Sequence, residues 1–312
     1  MTIILANPTH YVINSISLGD ALITTPVLKY AIENFHQDGR YTVKIATEEF
    51  KDLFYFIPKD KLFISPNEPQ RLPESIIRYF NEPKRTDNSM RMTSMRMSLH
   101  QYAAIRLTER ILPKEKLYYL PLPEVLTDHY NIDFSKAVIV TVTHRADNRQ
   151  WPEQTVKEIS EFIIKKGYTP VYIGKISQDP VWSDLPLKAT FNNLPPGIDL
   201  RNKTSILELG SIFRKAKAVV GMDSGPIHIA GTTEIPIICG YTIASPDVRF
   251  PTRKAGKTFG VVPNVQCKHC LTDWQLPFHD FDFKGDGCYF KHIECCNQMT
   301  ADKFIKCLEQ VL

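Results

Sequence analysis

Strand-like and helix-like segments alternate along this sequence, and that alternation constrains the fold more than any other feature. The strand-like runs occupy residues 11–14, 41–45, 137–143, 169–173, 218–221 and 235–239. Residues 2–5 are an alternative to 11–14 as the first strand. Helix-compatible stretches with apolar side chains at helical spacing separate several of these runs. Repeated βα units predict parallel sheets with right-handed crossovers. We therefore expect an α/β protein with two Rossmann-like domains facing across a cleft.

A chain of 312 residues is longer than most chains that fold around a single hydrophobic core, so we predict two domains. We place a first domain at 1–135, a second at 136–300 and a C-terminal helix at 301–312. With 43% apolar and 23% charged residues, the composition is that of a soluble globular protein. The sequence shows neither a membrane-spanning apolar run nor a secretory signal. We therefore expect a cytoplasmic location, with the inner face of the membrane as an alternative.

The clearest candidate for a binding site follows the strand-like run 218–221. Small and polar residues come directly after it and a helix-compatible segment follows, so the N–H groups of Ser224 and Gly225 would form an anion site at a helix start. A carboxylate repels phosphate, so we assign Asp223 to helix capping or to orienting ligand hydroxyls or His228. His228 is predicted to face the same site, with a satisfied core histidine as the alternative. The turn predicts binding of a phosphate-bearing ligand.

Asp20 is the candidate general base. It follows Gly19, which permits a tight turn, and stands where a loop passes into a predicted helix. A carboxylate at such a junction can take the proton from a hydroxyl nucleophile. Helix capping is the alternative role.

Two further candidates lie at predicted strand ends. Arg145 and Arg149 occupy the loop after the strand-like run 137–143, and Gly174 ends the run 169–173. Ligands bind at the carboxyl edge of parallel sheets, so Arg149 could neutralise a leaving diphosphate, and Gly174 is assigned to the same donor side. A solvated loop arginine is the alternative.

Five of the seven cysteines lie in the segment 267–296. Cytosolic proteins seldom hold disulfides, so this clustering indicates either a metal site or chance. Four thiolates could form a tetrahedral zinc or iron site. Cys239 and Cys307 fall within apolar segments and read as core residues.

Positive charge is concentrated in the segment 84–116, which contains eight Lys or Arg residues and three acidic residues. The formal net charge of the whole chain is only +4. A solvated helix face or loop is the simplest interpretation. The alternative is a surface for an anionic acceptor or acidic lipid headgroups, and hence a peripheral membrane contact. No nucleic-acid-binding module accompanies the charge, so we expect no nucleic-acid partner.

Three motifs together resemble glycosyltransferase family 9, the ADP-heptose heptosyltransferases of lipopolysaccharide core assembly. These motifs are Gly19-Asp20 with Thr24-Thr25-Pro26, then Trp151-Pro152, and Asp223-Ser224-Gly225-Pro226 with His228 and Ala230. The resemblance runs from about residue 11 to the C-terminus and is weakest at 58–83. It implies the GT-B fold, with the acceptor in the N-terminal domain, the donor nucleotide in the C-terminal domain, and a last helix that packs back on the N-terminal domain.

The resemblance also implies roles for single residues. Asp20 matches the general base, Ser224, Gly225 and His228 match the donor-phosphate turn beside Asp223, and no catalytic divalent metal is needed. The set Cys267, Cys270, Cys288 and Cys295 is similar to the iron-binding cysteine finger of some protein-modifying members, with Cys296 as an alternative ligand. The chain departs from the family at two places. Arg149 replaces a lysine, and Gly240-Tyr241-Thr242 stands where Gly-Pro-Thr is usual.

These inferences lead to an inverting glycosyltransferase that uses a nucleotide-diphosphate sugar, with ADP-heptose favoured. The acceptor would be a hydroxyl of a glycan, lipopolysaccharide core or protein. The alternatives are a non-catalytic nucleotide or sugar binder and a metal-stapled scaffold with a decayed transferase site.

Overall fold

The computed structural model describes residues 10–15, 18–34, 40–45, 48–66, 78–80, 98–108, 110–144, 149–176, 188–189, 193–270 and 293–312. The chain divides into two compact units, Met1–Leu120 and Pro121–Leu312. Each unit is built on a parallel sheet flanked by helices, which confirms the α/β class. Within these ranges no helix has the length and apolarity needed to cross a bilayer.

The first unit holds a four-stranded parallel sheet in the order β3-β2-β1-β4. Its elements are β1 (His10–Ser15), α1 (Leu18–Asn34), β2 (Arg40–Ile45), β3 (Leu62–Pro66), β4 (Arg78–Phe80) and α2 (Leu99–Thr108), with a 3-10 helix at Glu48–Phe54. The strands predicted at 11–14 and 41–45 are confirmed. The competing strand 2–5 and most of the basic segment, residues 84–97, lie outside the described residues.

Helix α1 is longer than the sequence predicts because it passes through a proline. The spacing places the helix at 22–35, with a regular start at Thr25-Pro26, whereas the observed helix begins at Leu18 and contains Pro26. Proline has no N–H for the carbonyl four residues earlier, which here belongs to Leu22. The Thr25 hydroxyl donates to that same carbonyl over 2.9 Å. The hydroxyl thus satisfies a buried acceptor that would otherwise interrupt the helix.

The second unit holds a six-stranded parallel sheet in the order β12-β11-β10-β5-β7-β9. Its strands are β5 (Ala137–Thr141), β7 (Thr169–Ile173), β9 (Ile198–Asp199), β10 (Ala218–Met222), β11 (Ile237–Gly240) and β12 (Thr258–Val261). A separate antiparallel pair is formed by β6 (Thr143–His144) and β8 (Lys188–Ala189). β5, β10 and β11 are buried along their whole length, as expected for strands covered on both faces.

Helices follow most strands of this sheet. They are α3 (Glu153–Lys165), α4 (Ile206–Lys215), α5 (Gly225–Ala230), α6 (Pro246–Arg249), α7 (Glu294–Asn297) and α8 (Ala301–Leu308). Helix α3 buries Val156, Ile159 and Ile163, which lie on one face at helical spacing. Ser205 is the N-cap of α4 and forms a capping box with Glu208.

The boundary between the units falls earlier than the predicted 135/136. Residues 121–136 belong to the second unit, where they are tied to α4 and the residues just before it. The Val125 N–H donates to Ser211 Oγ over 2.9 Å, and the Tyr130 hydroxyl donates to the Lys203 carbonyl over 2.7 Å. These polar contacts between residues far apart in sequence carry no periodic signal, so sequence patterns do not reveal them. The ligands that each domain binds remain predictions.

The C-terminal helix packs against other elements of the second unit, and the contact with the first domain that the resemblance implies stays a prediction. Phe304 of α8 is fully buried against Trp151, with ring centroids 5.3 Å apart. The Thr155 hydroxyl of α3 donates to the Met299 carbonyl over 2.8 Å, just before α8 begins. The apolar face of α8 therefore forms part of the hydrophobic core between the six-stranded sheet and α3.

Candidate functional site

The six-stranded sheet places two predicted site segments side by side. Its strand order reverses between β5 and β10, and ligands of open α/β sheets bind outside the carboxyl ends of the strands at such a point. β10 ends at Met222 and continues into Asp223 and Ser224. The chain leaving β5 reaches Arg149 just before α3. The predicted phosphate turn and the predicted arginine thus both lie at this edge.

Asp223 is the centre of a buried charged cluster. Its side chain is 6% exposed, and each carboxylate oxygen faces a different partner. Arg249 Nε of α6 donates to Oδ2 over 3.2 Å. His228 Nε2 of α5 lies 3.4 Å from Oδ1, and His228 is only 1% exposed. The prediction that Asp223 orients His228 agrees with this geometry, whereas the N-cap of α5 is Ser224.

The Asp223 carboxylate is ionised. Burial alone would favour the neutral acid. The charge of Arg249, the close approach of the His228 ring and the charge of Arg149 outweigh burial and hold the pKa of this carboxyl well below its usual range. The charge of Arg149 acts on the Asp223 carboxylate, so the two side chains lie near each other. The predicted donor-side residues Arg149, Asp223 and His228 are therefore brought together.

Ser224 carries an unusual hydroxyl. It is the N-cap residue of α5 in extended conformation, yet its side chain makes no capping hydrogen bond. Its Oγ is buried and has no hydrogen-bond partner among the described residues. A buried hydroxyl without a partner is costly, so such groups commonly serve a ligand or an ordered water. Gly225 begins the helix directly after it, and the first N–H groups of a helix have no acceptor within the helix.

Gly174 lies at the carboxyl end of β7 and has a close-packing role. Its φ of +147° is a conformation that side chains rarely adopt, and a Cβ there would collide with the side chain of Thr143. Its carbonyl accepts from the Asn202 N–H over 3.0 Å. The donor contact predicted for Gly174 stays a prediction. Arg145, named with Arg149 from the sequence, lies outside the described residues.

In the first unit, Asp20 lies in the first turn of α1, directly after β1. The strand order of that sheet reverses between β1 and β4, so the backbone of Asp20 lies at the carboxyl end of a strand beside the reversal. This is the position at which α/β proteins place reactive groups. The base role of Asp20 remains a prediction.

The cysteine segment is described only in part. Cys267 and Cys270 are half-buried, Cys295 and Cys296 are buried in α7, and Cys288 lies outside the described residues. Over the described ranges, no three or more His, Cys, Asp or Glu side chains form a group able to hold a metal. Cys267, Cys270 and Cys295 thus do not complete a site by themselves. Residues 267–270 are joined to the rest of the second unit by the His269 N–H, which donates to the Thr242 carbonyl over 2.7 Å.

Three further residues lie around Asp223, and sequence reasoning linked none of them to it. Arg249 reaches it from α6, and Cys239 and Tyr241 lie at the end of β11 close enough for its charge to act on them. Burial raises the pKa of both the Cys239 thiol and the Tyr241 hydroxyl, and the Asp223 charge adds to the effect, so both groups are neutral. The departure at Tyr241 was the only signal in the sequence that pointed here.

Comparison with known proteins assigns the chain to a family. A sequence profile of glycosyltransferase family 9 (heptosyltransferase) matches residues 112–275, which is more than half of the chain. The chain belongs to glycosyltransferase family 9. The matched range contains Trp151-Pro152 and the whole Asp223–His228 turn. The resemblance inferred from the motifs is therefore confirmed, and the family is one of transferases.

Known relatives agree with this assignment. Lipooligosaccharide heptosyltransferase 2 of Haemophilus influenzae is 27% identical over 103 residues, a match covering 33% of this chain and 30% of that protein. The aligned region thus spans less than a third of the curated relative.

Solved structures show the fold. The iron-containing dodecameric glycosyltransferase TibC of enterotoxigenic E. coli aligns over all of this chain and 78% of its own, with a TM-score of 0.69 and 17% identity. TibC has also been solved with ADP-D-β-D-heptose. The ADP-heptose lipopolysaccharide heptosyltransferase II of E. coli aligns over 97% of this chain and 98% of its own, with a TM-score of 0.61 and 14% identity. This likeness confirms that the chain has the α/β fold of the GT-B heptosyltransferases.

Proposed function

We propose that the protein is an inverting glycosyltransferase that transfers heptose from ADP-heptose to a hydroxyl acceptor. Family membership supports the reaction class, and the heptosyltransferase names of the relatives support the sugar. The observation that carries the proposal is the site at the sheet reversal. There a buried Ser224 hydroxyl, which has no hydrogen-bond partner in the part of the chain that the structure describes, lies next to a charged cluster that includes Arg149.

The donor diphosphate is held in the second unit. The Ser224 hydroxyl and the backbone N–H groups of Ser224 and Gly225 donate to its oxygens, and Arg149 supplies positive charge. Helix α5 has only six residues, so these local donors matter more than a helix dipole. As the bond between the anomeric carbon and the diphosphate breaks, negative charge grows on the leaving group. Donors already in position stabilise that charge more than they stabilise the ground state.

Asp20 is the general base of the proposed reaction. The acceptor oxygen attacks the anomeric carbon, its proton passes to the Asp20 carboxylate, and the nucleoside diphosphate leaves with the bonding electron pair. A single displacement of this kind inverts the configuration at the anomeric carbon. The acceptor is a glycan, lipopolysaccharide core or protein hydroxyl, and no catalytic divalent metal takes part.

Nucleotide binding tests the donor site. We expect ADP to raise the melting temperature, because a ligand at 100 times its Kd stabilises by about 2.7 kcal/mol. Ser224→Ala should weaken ADP binding by about 10-fold or more, since a hydrogen bond to a charged group is worth roughly 1.5–3 kcal/mol. Ser135→Ala, at an exposed serine of a 3-10 turn, is the matched control and should bind ADP as the wild type does.

Several outcomes would contradict the proposal. No shift with ADP would remove the donor assignment, and an unchanged affinity in Ser224→Ala would remove Ser224 from the site. ADP binding without turnover of ADP-heptose on any glycan, lipid-linked or protein acceptor would favour a non-catalytic binder. Tight partner binding that survives loss of Asp20 and His228 would favour a scaffold.

We further propose a structural zinc or iron held by Cys267, Cys270, Cys288 and Cys295, with Cys296 as an alternative to Cys295. The resemblance to the family's cysteine finger supports this proposal. Elemental analysis of the purified protein should find about one metal ion per chain, as expected for a four-thiolate site. The double variant Cys267→Ser/Cys270→Ser should lose it, while Cys307→Ser should keep it. Equal metal content in all three proteins would contradict the assignment.

A further inference from the structure

We propose that Arg249 is a positioning residue for the donor diphosphate, because it neutralises the buried Asp223 carboxylate beside the phosphate turn. The inference rests on the proposed donor site. Arg249 lies outside the three family motifs. Its role follows from a conflict of charges that the structure resolves.

The conflict arises from the position of Asp223 in the chain. Asp223 directly precedes Ser224 and Gly225, whose donors are proposed to hold the diphosphate. A nucleoside diphosphate is strongly anionic, and like charges inside a poorly hydrated site repel each other more strongly than in water. An uncompensated carboxylate at this position would therefore oppose donor binding.

The geometry around Asp223 removes that conflict. Arg249 Nε donates to Oδ2 over 3.2 Å, and His228 Nε2 stands 3.4 Å from Oδ1, so the two oxygens are held from two separate helices. Arg249 is itself 12% exposed, so the ion pair is shielded from solvent.

Arg249 is also held at a defined place relative to the turn. Ser245 is the N-cap of helix α6, and its Oγ accepts the Asp247 N–H over 3.2 Å. Directly after Arg249, the Phe250 ring packs edge-on against Tyr241 at the end of β11, with centroids 5.1 Å apart. These contacts position the guanidinium without help from a ligand. Neutralisation is thus built into the second unit before the donor arrives.

Two other roles for Arg249 must be separated from this one. Arg249 could bind a phosphate directly, or the ion pair could serve stability alone. A double-mutant cycle distinguishes the three roles because each predicts a different dependence on Asp223. The variants are Arg249→Met, Asp223→Asn and the double variant, with the Kd of ADP and of adenosine measured by calorimetry and folding checked by melting temperature.

If Arg249 acts by neutralisation, Arg249→Met weakens ADP binding by about 30-fold or more, as expected when one partner of a buried charge pair is lost. The double variant then binds ADP within about threefold of Asp223→Asn, because no carboxylate is left to compensate. Adenosine, which lacks the diphosphate, binds all four proteins alike. Arg249→Lys, which keeps the charge, recovers part of the ADP affinity lost in Arg249→Met.

The comparison of the double variant with Asp223→Asn separates neutralisation from direct phosphate contact even if Arg249→Met fails to fold. A double variant that binds ADP at least 10-fold more weakly than Asp223→Asn would overturn the inference in favour of direct phosphate contact. Unchanged ADP affinity in a folded Arg249→Met would overturn it in favour of a purely structural pair. Wild-type protein that fails to bind ADP at all would instead overturn the proposed donor site, and this inference with it.

Discussion

Asp20→Asn is expected to lower kcat for sugar transfer by about 10²–10⁴-fold, the range that a positioned general base contributes. Asparagine keeps the size of the side chain and can still accept a hydrogen bond, but it cannot take the proton of the acceptor hydroxyl. ADP affinity should be unchanged, because the donor nucleotide is assigned to the second unit. Transfer is followed as acceptor-dependent release of ADP from ADP-heptose.

A control on the same helix separates this effect from damage to α1. Glu33 lies in the last turn of α1, where it pairs with Lys29 in solvent. Glu33→Gln should leave both kcat and ADP affinity at wild-type values, since exposed ion pairs contribute little. Full activity in Asp20→Asn would remove Asp20 from the mechanism, and loss of ADP binding would make its role structural.

Phe304→Ala is expected to reduce the free energy of unfolding of the second unit by about 3–5 kcal/mol. Phe304 is fully buried in one core cluster with Trp151, Met299 and Leu308, so its removal leaves a cavity lined by large side chains. Its ring also lies close to the site of Gly240, where a Cβ would come within 3.0 Å of Cζ. Chemical denaturation followed by Trp fluorescence measures the loss.

Lys306→Ala provides the matched comparison in α8. Lys306 is exposed, so its truncation should change the free energy of unfolding by no more than about 0.5 kcal/mol. Similar stability in Phe304→Ala and Lys306→Ala would contradict the packing of α8 into the second unit. That packing also explains the Trp151-Pro152 motif. Trp151 secures the C-terminal helix, while Pro152 is the N-cap of α3.

The parts of the fold that repeat were predictable from the sequence. The strands of the second unit alternate with helices whose apolar stripes and caps are local signals, and the structure reproduces them. The location of the donor turn followed from the same reasoning, because a strand that ends in small and polar residues before a helix has few other conformations. Local sequence patterns were therefore enough to predict those elements whose conformation is set by their own residues.

What local patterns missed depends on distant partners. Arg249 pairs with Asp223 across 26 positions of sequence, and no periodicity links the two. The passage of α1 through Pro26 depends on one hydroxyl, that of Thr25, which spacing rules do not weigh. The placement of α8 follows from burial of Phe304 against Trp151, and many surfaces could have offered a similar apolar groove. Polar pairing and choice of packing partner are tertiary properties.

The most direct test of the central claim is a crystal structure of the protein with ADP bound. The account predicts that a diphosphate oxygen lies at hydrogen-bond distance, about 2.5–3.0 Å, from Ser224 Oγ, with Arg249 still on Asp223. ADP bound elsewhere on the second unit, or bound with its diphosphate away from the turn after β10, would contradict it.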